Sequence, residues 1–362
     1  MNPPFSTRLL DWFATDGRHD LPWQQPRTPY RVWVSEIMLQ QTQVATVSGY
    51  FKRFIQVLPS LPELAAAPLD QVLALWSGLG YYGRARNLHR AAQWCNQHHH
   101  GELPTDAETL AALPGIGRST AAAILALAHG QRLAILDGNV KRVLCRHMGL
   151  AGDPSSPVIE RRLWFEAETC LSTIRGNANR VADYTQAIMD LGAGVCTRSR
   201  PRCGVCPVAA DCVALQTGQT DRLPTRKSNK PKPEKSVRVL LAVNTEGRVL
   251  LVKRPPLGIW GGLWSLPEIP MDALTCLLEL DFPESPIATS LGLHIRASTQ
   301  LPTRRHSFTH FRLILHPLLA FVQTRPRSVN ESTDQRWLDP AALDDYGIPA
   351  PIRKLIAAQD FD

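Results

Sequence analysis

The chain has 362 residues, enough for two ordinary domains that each bury a core. Its 44% hydrophobic and 20% charged content describes a soluble globular protein and excludes a disordered one, and no apolar run is long enough to signal a spanning helix. The net charge of +8 is uneven, with 21 basic against 17 acidic residues through Cys212, 6 against 2 over residues 213–235, and 13 against 13 from Ser236 onward. Basic excess on the first two parts points weakly to a polyanion, since Lys and Arg contacts to phosphate release counterions. The opening Met-Asn-Pro-Pro-Phe-Ser lacks a basic segment followed by an apolar core, so no secretory signal is expected and the cytoplasm is the default.

Residues 1–212 read as an all-α domain. Helical spacing of apolar residues runs through Ser35–Phe54, and then through 61–76, 86–97, 105–113, 119–128, 140–148, 158–171 and 178–191, with Pro and Gly between them. Glu36, following Ser35, is expected in the first turn of its helix, where an acid complements the dipole. The apolar run around it equally suits a desolvated carboxyl with a raised pKa, as a general acid requires. Gln40 and Gln41 carry amides able to meet base edges. Tyr81 and Tyr82, flanked by Gly83, Arg84 and Arg86, suit wedging between bases and holding phosphates, or else a pair of core tyrosines.

Leu113-Pro-Gly-Ile-Gly-Arg-Ser-Thr-Ala reads as a helix-hairpin-helix. Pro114 stops one helix, Gly115 and Gly117 permit a tight turn, and the amides opening the next helix can bind a DNA phosphate without reading sequence. A functionless glycine turn is the alternative. Asp137, in Ile135-Leu-Asp-Gly-Asn-Val, stands just before another helix, either as its N-cap or as a chemically active carboxylate.

Cys196, Cys203, Cys206 and Cys212 can wrap one metal centre. Zinc ribbons use two paired-Cys knuckles and only one occurs here, so the uneven loop fits an iron–sulfur cubane better. Arg198, Arg200 and Arg202 within it could meet phosphate; a purely structural staple is the alternative. Cys95, Cys145, Cys170 and Cys276 read as small buried apolar residues, and His98-His-His100 as a solvated helix end. Residues 213–235 read as a basic, Pro-rich linker. Residues 236–362 form a second, α+β domain, with strands at Val237–Val243, Val249–Val252 and Arg312–Phe321 and a helix at Ala350–Ala358.

Ser35-Glu-Ile-Met-Leu-Gln-Gln-Thr-Gln-Val, Gly78-Leu-Gly-Tyr-Tyr, the hairpin, Ile135-Leu-Asp-Gly-Asn-Val and the four-cysteine loop fall in the order of the adenine DNA glycosylase family usually called MutY, which the chain resembles from about Leu21 to Arg353. The resemblance implies base-excision repair of adenine opposite 8-oxoguanine or guanine in double-stranded DNA, by base flipping. It implies that Glu36 protonates the adenine and that Asp137 stabilises an oxocarbenium-like sugar, supported by Asn139. Tyr81 and Gln41 would wedge beside the lesion, Gly115, Gly117, Arg84 and Arg86 would contact DNA, and Trp23, Gln24 and Gln186 would line the adenine pocket. The four cysteines would hold one [4Fe-4S] cluster that the chemistry itself does not need. A monomer, associated with the nucleoid, is expected.

Strand-nicking relatives carry Lys where this chain has Ser119, and Ser cannot form their Schiff base, so a monofunctional enzyme is expected. The second domain resembles the family's lesion reader, which shares the Nudix hydrolase fold, with Leu257-Gly-Ile-Trp-Gly-Gly-Leu-Trp-Ser-Leu-Pro-Glu as its signature. The hydrolase's metal box is missing after Glu268, which disfavours nucleotide hydrolysis. His306, Phe308, Thr309 and His310 match the loop that contacts oxidised guanine, with Thr309 where many members have Ser. The rival readings are a bifunctional endonuclease III-like glycosylase/lyase, a non-catalytic DNA-binding module, and a Nudix hydrolase with a DNA tether.

Overall fold

The computed structural model describes residues 3–225, 231–270, 291–324 and 334–359. The chain divides into two compact units, Met1–Ala66 with Asn87–Asn229 and Ala67–Arg86 with Lys230–Asp362. Residues 67–86, read from sequence as part of the helical domain, therefore group with the C-terminal part of the chain.

The first unit is helical. It contains α1 (Phe5–Asp16), α2 (Pro29–Leu39), α3 (Val44–Val57) and α4 (Leu61–Ala66). Further helices α5 (Leu69–Leu75) and α6 (Gly83–His98) follow, α5 lying in the second unit and α6 starting there. The first unit continues through α7 (Ala107–Ala111), α8 (Arg118–His129), α9 (Gly138–His147), α10 (Pro157–Ser172) and α11 (Ala178–Asp190). The continuous helix expected over Ser35–Phe54 is broken: α2 stops at Leu39, and Gln41 takes a left-handed φ of 60° before α3 begins. Apolar spacing persists across the break, but the Gln-Gln-Thr-Gln run offers nothing to bury. The stretch 61–76 breaks likewise, at Pro68, which cannot donate within a helix.

The core of this unit gathers Leu9 and Phe13 of α1, Ala126 of α8, Val140 and Leu144 of α9, Leu163 of α10 and Ile188 of α11. Each such large aliphatic or aromatic side chain contributes roughly 1.5–3 kcal/mol on burial. After α11 a π turn, Leu191–Val195, leads into Cys196. Part of the span expected to be linker packs on the helical unit: α12 (Val213–Gln216) follows the last cysteine of the loop, Arg146 Nε donates to the Leu223 carbonyl (2.8 Å), and the Gly152 N–H donates to Thr225 Oγ1 (3.0 Å).

The second unit is a mixed sheet, α+β as expected. Strand β1 (Glu234–Val243) begins inside the expected linker and runs parallel to β7 (Arg312–Thr324), in register from Glu234↔Arg312 to Val243↔Phe321. Strands β2 (Val249–Lys253) and β3 (Trp264–Ser265) extend the sheet beside β1, and β5 (Leu293–Gln300) pairs antiparallel with β7, giving the order β3-β2-β1-β7-β5. Short strands β4 (Glu268–Ile269), β6 (Arg304–Ser307) and β8 (Gln335–Leu338) pair with β1, β7 and β2. Alternation along β1 builds both faces. Val239, Leu241 and Val243 pack with Ile352 and Leu355 of the terminal helix α13 (Ala350–Ile356), while Leu240 and Ala242 pack with Leu318, Ala320 and Val322.

Cys95 and Cys145 are fully buried as expected, whereas Cys170 is only half-buried. Cys276 and the stretch after Glu268 that lacks a metal box, residues 271–280, lie outside the described residues. Among the described residues no helix is long and apolar enough to cross a membrane.

Candidate active site

Helix α2 starts earlier than the sequence suggests. Thr28 caps it, accepting from the Arg31 N–H at 3.3 Å, and Pro29 opens it. Glu36 therefore sits near the end of the helix, not in its first turn, and the dipole account of this acid fails. Its neighbours Val34, Ser35, Ile37 and Met38 are buried, and the carboxyl looks into a groove of about 1350 Å³. Burial, aided by the charge of Asp137, pushes Glu36 up to about 8.

Asp137 lines the same groove and is also the N-cap of α9. The two readings of this residue are thus compatible. Its Oδ1 accepts from the Val140 N–H (2.8 Å) and its Oδ2 from Asn139 Nδ2 (3.1 Å). Burial raises its pKa, and these donors and the Arg142 guanidinium oppose that rise in part. The Asn139 Oδ1 accepts in turn from Arg142 Nη2 (2.8 Å), whose other contacts reach the Gly192 carbonyl (2.6 Å) and the Cys196 carbonyl (2.7 Å). A Cβ on Gly192 would stand 2.6 Å from that of Asn139, so only glycine admits α9 this close to the π turn. Ser119, in the first turn of α8, accepts from the Leu136 N–H (2.9 Å) and so braces the residue before Asp137.

Gly115 takes a φ of 80°, and its Cβ would meet Asn87 at 2.9 Å, so the hairpin turn requires glycine there. A Cβ at Gly117 would meet nothing, and no side chain caps α8, leaving its first amides open to an anion. Gln40 Nε2 donates to the Gly115 carbonyl (3.3 Å), and Gln41 is exposed on the groove. Trp23 and Gln186 also line the groove. Gln186 Nε2 is committed to Asp190 Oδ1 (2.8 Å), which also accepts from Arg18 Nε (3.0 Å). Gln24 does not line it: its amide accepts from the Leu21 N–H (3.0 Å) and donates to the Arg18 carbonyl (2.9 Å), holding the turn behind Trp23. Arg18, Arg142 and Arg146 line the groove too, and sequence reasoning missed them because basic residues scattered along a helix or turn carry no pattern of their own.

The remaining DNA-directed residues lie in the second unit. Tyr81 is 49% exposed, with a left-handed φ of 51°. Its hydroxyl shares a 3.0 Å hydrogen bond with Thr309 Oγ1, across 228 positions of sequence. Arg84 is buried, its guanidinium over the rings of Trp76 (5.5 Å) and Tyr81 (5.4 Å) with Nη2 donating to the Gly80 carbonyl (3.2 Å); burial pushes its pKa down to about 10. Arg86 Nη1 donates to the Gly261 carbonyl (2.6 Å). Arg84 is thereby committed beside the Tyr81 loop, and Arg86, half-buried, is tied in part to Gly261. Thr309 sits at the tip between β6 and β7, which the Phe308 N–H closes onto the Phe311 carbonyl (2.9 Å). Phe308 stacks on Phe311 at 4.5 Å, His306 meets Phe308 edge-on at 4.7 Å, and His310 leans on Phe311 at 4.9 Å.

The four clustered cysteines are free thiols lining one apolar cavity, where burial raises the pKa of Cys203, Cys206 and Cys212. Among the described residues no group of three His, Cys, Asp or Glu is placed to hold a metal ion as it stands. Four thiols around an apolar cavity are nonetheless the donor set of a sulfur-ligated centre, and they fit one. Arg202 is exposed and donates to the Gly194 carbonyl (2.8 Å), and Arg198 lines the groove.

Two family models match the chain: the HhH-GPD superfamily of base excision DNA repair proteins over residues 34–168, and the NUDIX domain over residues 238–358. The helical unit is similar to a thermostable thymine-DNA glycosylase, with 26% identity and a TM-score of 0.52 over 59% of this chain and 95% of that one. The adenine DNA glycosylase of Buchnera aphidicola (from Acyrthosiphon pisum) is 34% identical, covering 97% of this chain and 96% of its own. That of Homo sapiens is 33% identical, covering 97% of this chain and 73% of its own. With a base-excision glycosylase fold followed by a Nudix-like unit, and this likeness over nearly its whole length, the chain belongs to the adenine DNA glycosylases.

Proposed function

We propose that the chain is a monofunctional glycosylase that hydrolyses the N-glycosidic bond of adenine paired with 8-oxoguanine or guanine. The observation that carries this reading is the pairing of Glu36 and Asp137 in one groove with different partners. Glu36, at about 8, is protonated at neutral pH, whereas the Asp137 carboxyl, also raised by burial, faces the Val140 N–H, the Asn139 amide and the Arg142 guanidinium, which favour its ionised form. Glu36 gives its proton to adenine N7, and the C1′–N9 bond breaks with its electron pair leaving on the base. The Asp137 carboxylate stabilises the positive sugar that results. Water adds at C1′ and returns a proton to Glu36, closing the cycle. Asn139 and Arg142 keep the Asp137 carboxylate in place, and Trp23 and Gln186 supply a wall for the flipped base. Ser119 offers no amine, so no Schiff base forms.

Preference for the oxidised guanine rests, in this reading, on Thr309 and Tyr81, whose hydroxyls stand together at an exposed tip. Cys196, Cys203, Cys206 and Cys212 would hold one [4Fe-4S] cluster, which when bound ties the loop 196–212 into a single rigid element.

The test is a duplex carrying adenine opposite 8-oxoguanine beside a control with adenine opposite thymine. Strand breaks at the adenine in the first duplex alone, and only after alkali, are the expected result. Breaks without alkali, together with a borohydride-trapped adduct, would instead establish the lyase reading. Binding without any base release would leave a DNA-binding module.

A further inference from the structure

Arg146 of α9 is 3% exposed, and its guanidinium meets only neutral oxygens and one sulfur. Nε donates to the Leu223 carbonyl (2.8 Å), Nη1 to the Thr197 carbonyl (2.7 Å) and to Cys196 Sγ (3.4 Å), and Nη2 to the Arg198 carbonyl (3.3 Å). The carbonyl of Arg146 itself accepts from Cys212 Sγ at 3.5 Å. Among the described residues no carboxylate forms an ion pair with it. The carbonyl dipoles satisfy its N–H groups but do not neutralise a full charge, and an uncompensated buried ion is strongly disfavoured. Arg146 also lines both the cavity of the four cysteines and the groove of Glu36 and Asp137, and no other residue is common to the two.

We propose that Arg146 is the countercharge and positioning residue of the cysteine site. Its cation balances the thiolates, with Cys196 the nearest, and its fork gathers the arm 196–198 and the segment at Leu223 around that site. This rests on the reading of the four cysteines as cluster ligands. Each added negative charge on a cluster is stabilised by a neighbouring cation, so removing the cation disfavours the reduced state and weakens retention of the whole group.

Full-length wild type, R146K, R146Q and R146M would be purified without oxygen and compared for iron and sulfide per chain, for visible absorbance, and for cluster reduction potential. R146K is expected to keep most of its iron. R146Q and R146M are expected to lose more than half, and the cluster they retain to have a more negative potential. Far-UV circular dichroism on each sample separates iron loss in a folded chain from failure to fold; should R146M not fold, the R146K and R146Q pair carries the comparison. Wild-type iron content and potential in R146Q would overturn the role of Arg146. A wild type without iron would overturn the cluster reading itself.

Discussion

Replacing Glu36 by Gln should slow excision by orders of magnitude and at the same time stabilise the fold, each with its own pH dependence. Glu36 lies at about 8 in the folded chain against an ordinary 4.5, because burial and Asp137 both disfavour its charge. Between those values the folded state binds more protons than the unfolded one, so the wild type loses stability as pH rises from about 4.5 through about 8. The gap corresponds to at most about 5 kcal/mol at 1.36 kcal/mol per pH unit. Glu36 keeps partial access to the groove, and solvent screening brings the figure to roughly 2–3 kcal/mol. At pH 9, E36Q should therefore melt roughly 5–10 °C above wild type, and at pH 5 close to it. Thermal melts at the two values read this directly. Single-turnover release of adenine by wild type should fall about tenfold per pH unit above about 8, and E36Q should be slower by about 10²–10⁴ below that pH, with the gap closing above it. Equal melting at pH 9, or a wild-type rate that stays flat from pH 6.5 to 9.5, would refute the reasoning.

D137N keeps an oxygen able to accept from the Val140 N–H, so stability should change by less than about 1 kcal/mol while excision falls by about 10³ or more; melts and single-turnover rates on one preparation separate the two. G192A forces a Cβ against Asn139 and should cost about 1–3 kcal/mol in stability and slow excision as well, since Asn139 positions Asp137. Y81F and T309V each remove one partner of the same hydroxyl pair. Each should reduce the preference for 8-oxoguanine over guanine opposite adenine several-fold, and the double variant should be no worse than either alone.

The chemistry of the site was legible where it rests on residue type in a fixed order. The hairpin glycines, Asp137 before a helix, and four crowded cysteines name themselves, because few other side chains could fill those places. What depends on where a helix begins was not legible. Glu36 was open to a dipole account until Thr28 and Pro29 proved to start α2 two turns earlier. Arg84 and Arg86 beside two tyrosines read as phosphate ligands, and nothing in that run tells that Arg84 is buried or that the two donate to the Gly80 and Gly261 carbonyls. Strands β1, β2 and β7 announced themselves by apolar content. Strand β6 did not, because it is short and largely exposed. No local pattern could pair Tyr81 with Thr309, since that contact is made by the topology of the sheet and the loop it meets.

The grouping of residues 67–86 with the C-terminal part of the chain bears on how such a protein can be rebuilt. Lys253 Nζ pairs with Asp70 at 2.8 Å, Ser77 Oγ donates to the Ile348 carbonyl at 3.1 Å, and Gly347 leaves no room for a Cβ beside Leu73. The Nudix-like unit is therefore not a cassette that ends at its linker. A chimera that grafts residues 230–362 onto a foreign glycosylase must bring along the host positions equivalent to Asp70, Leu73, Ser77, Tyr81 and Arg86. Without them the graft carries a Thr309 that has lost its hydroxyl partner. Lineages that exchange or discard this unit face the same constraint, since drift in twenty residues far upstream alters the unit's packing without touching residues 230–362.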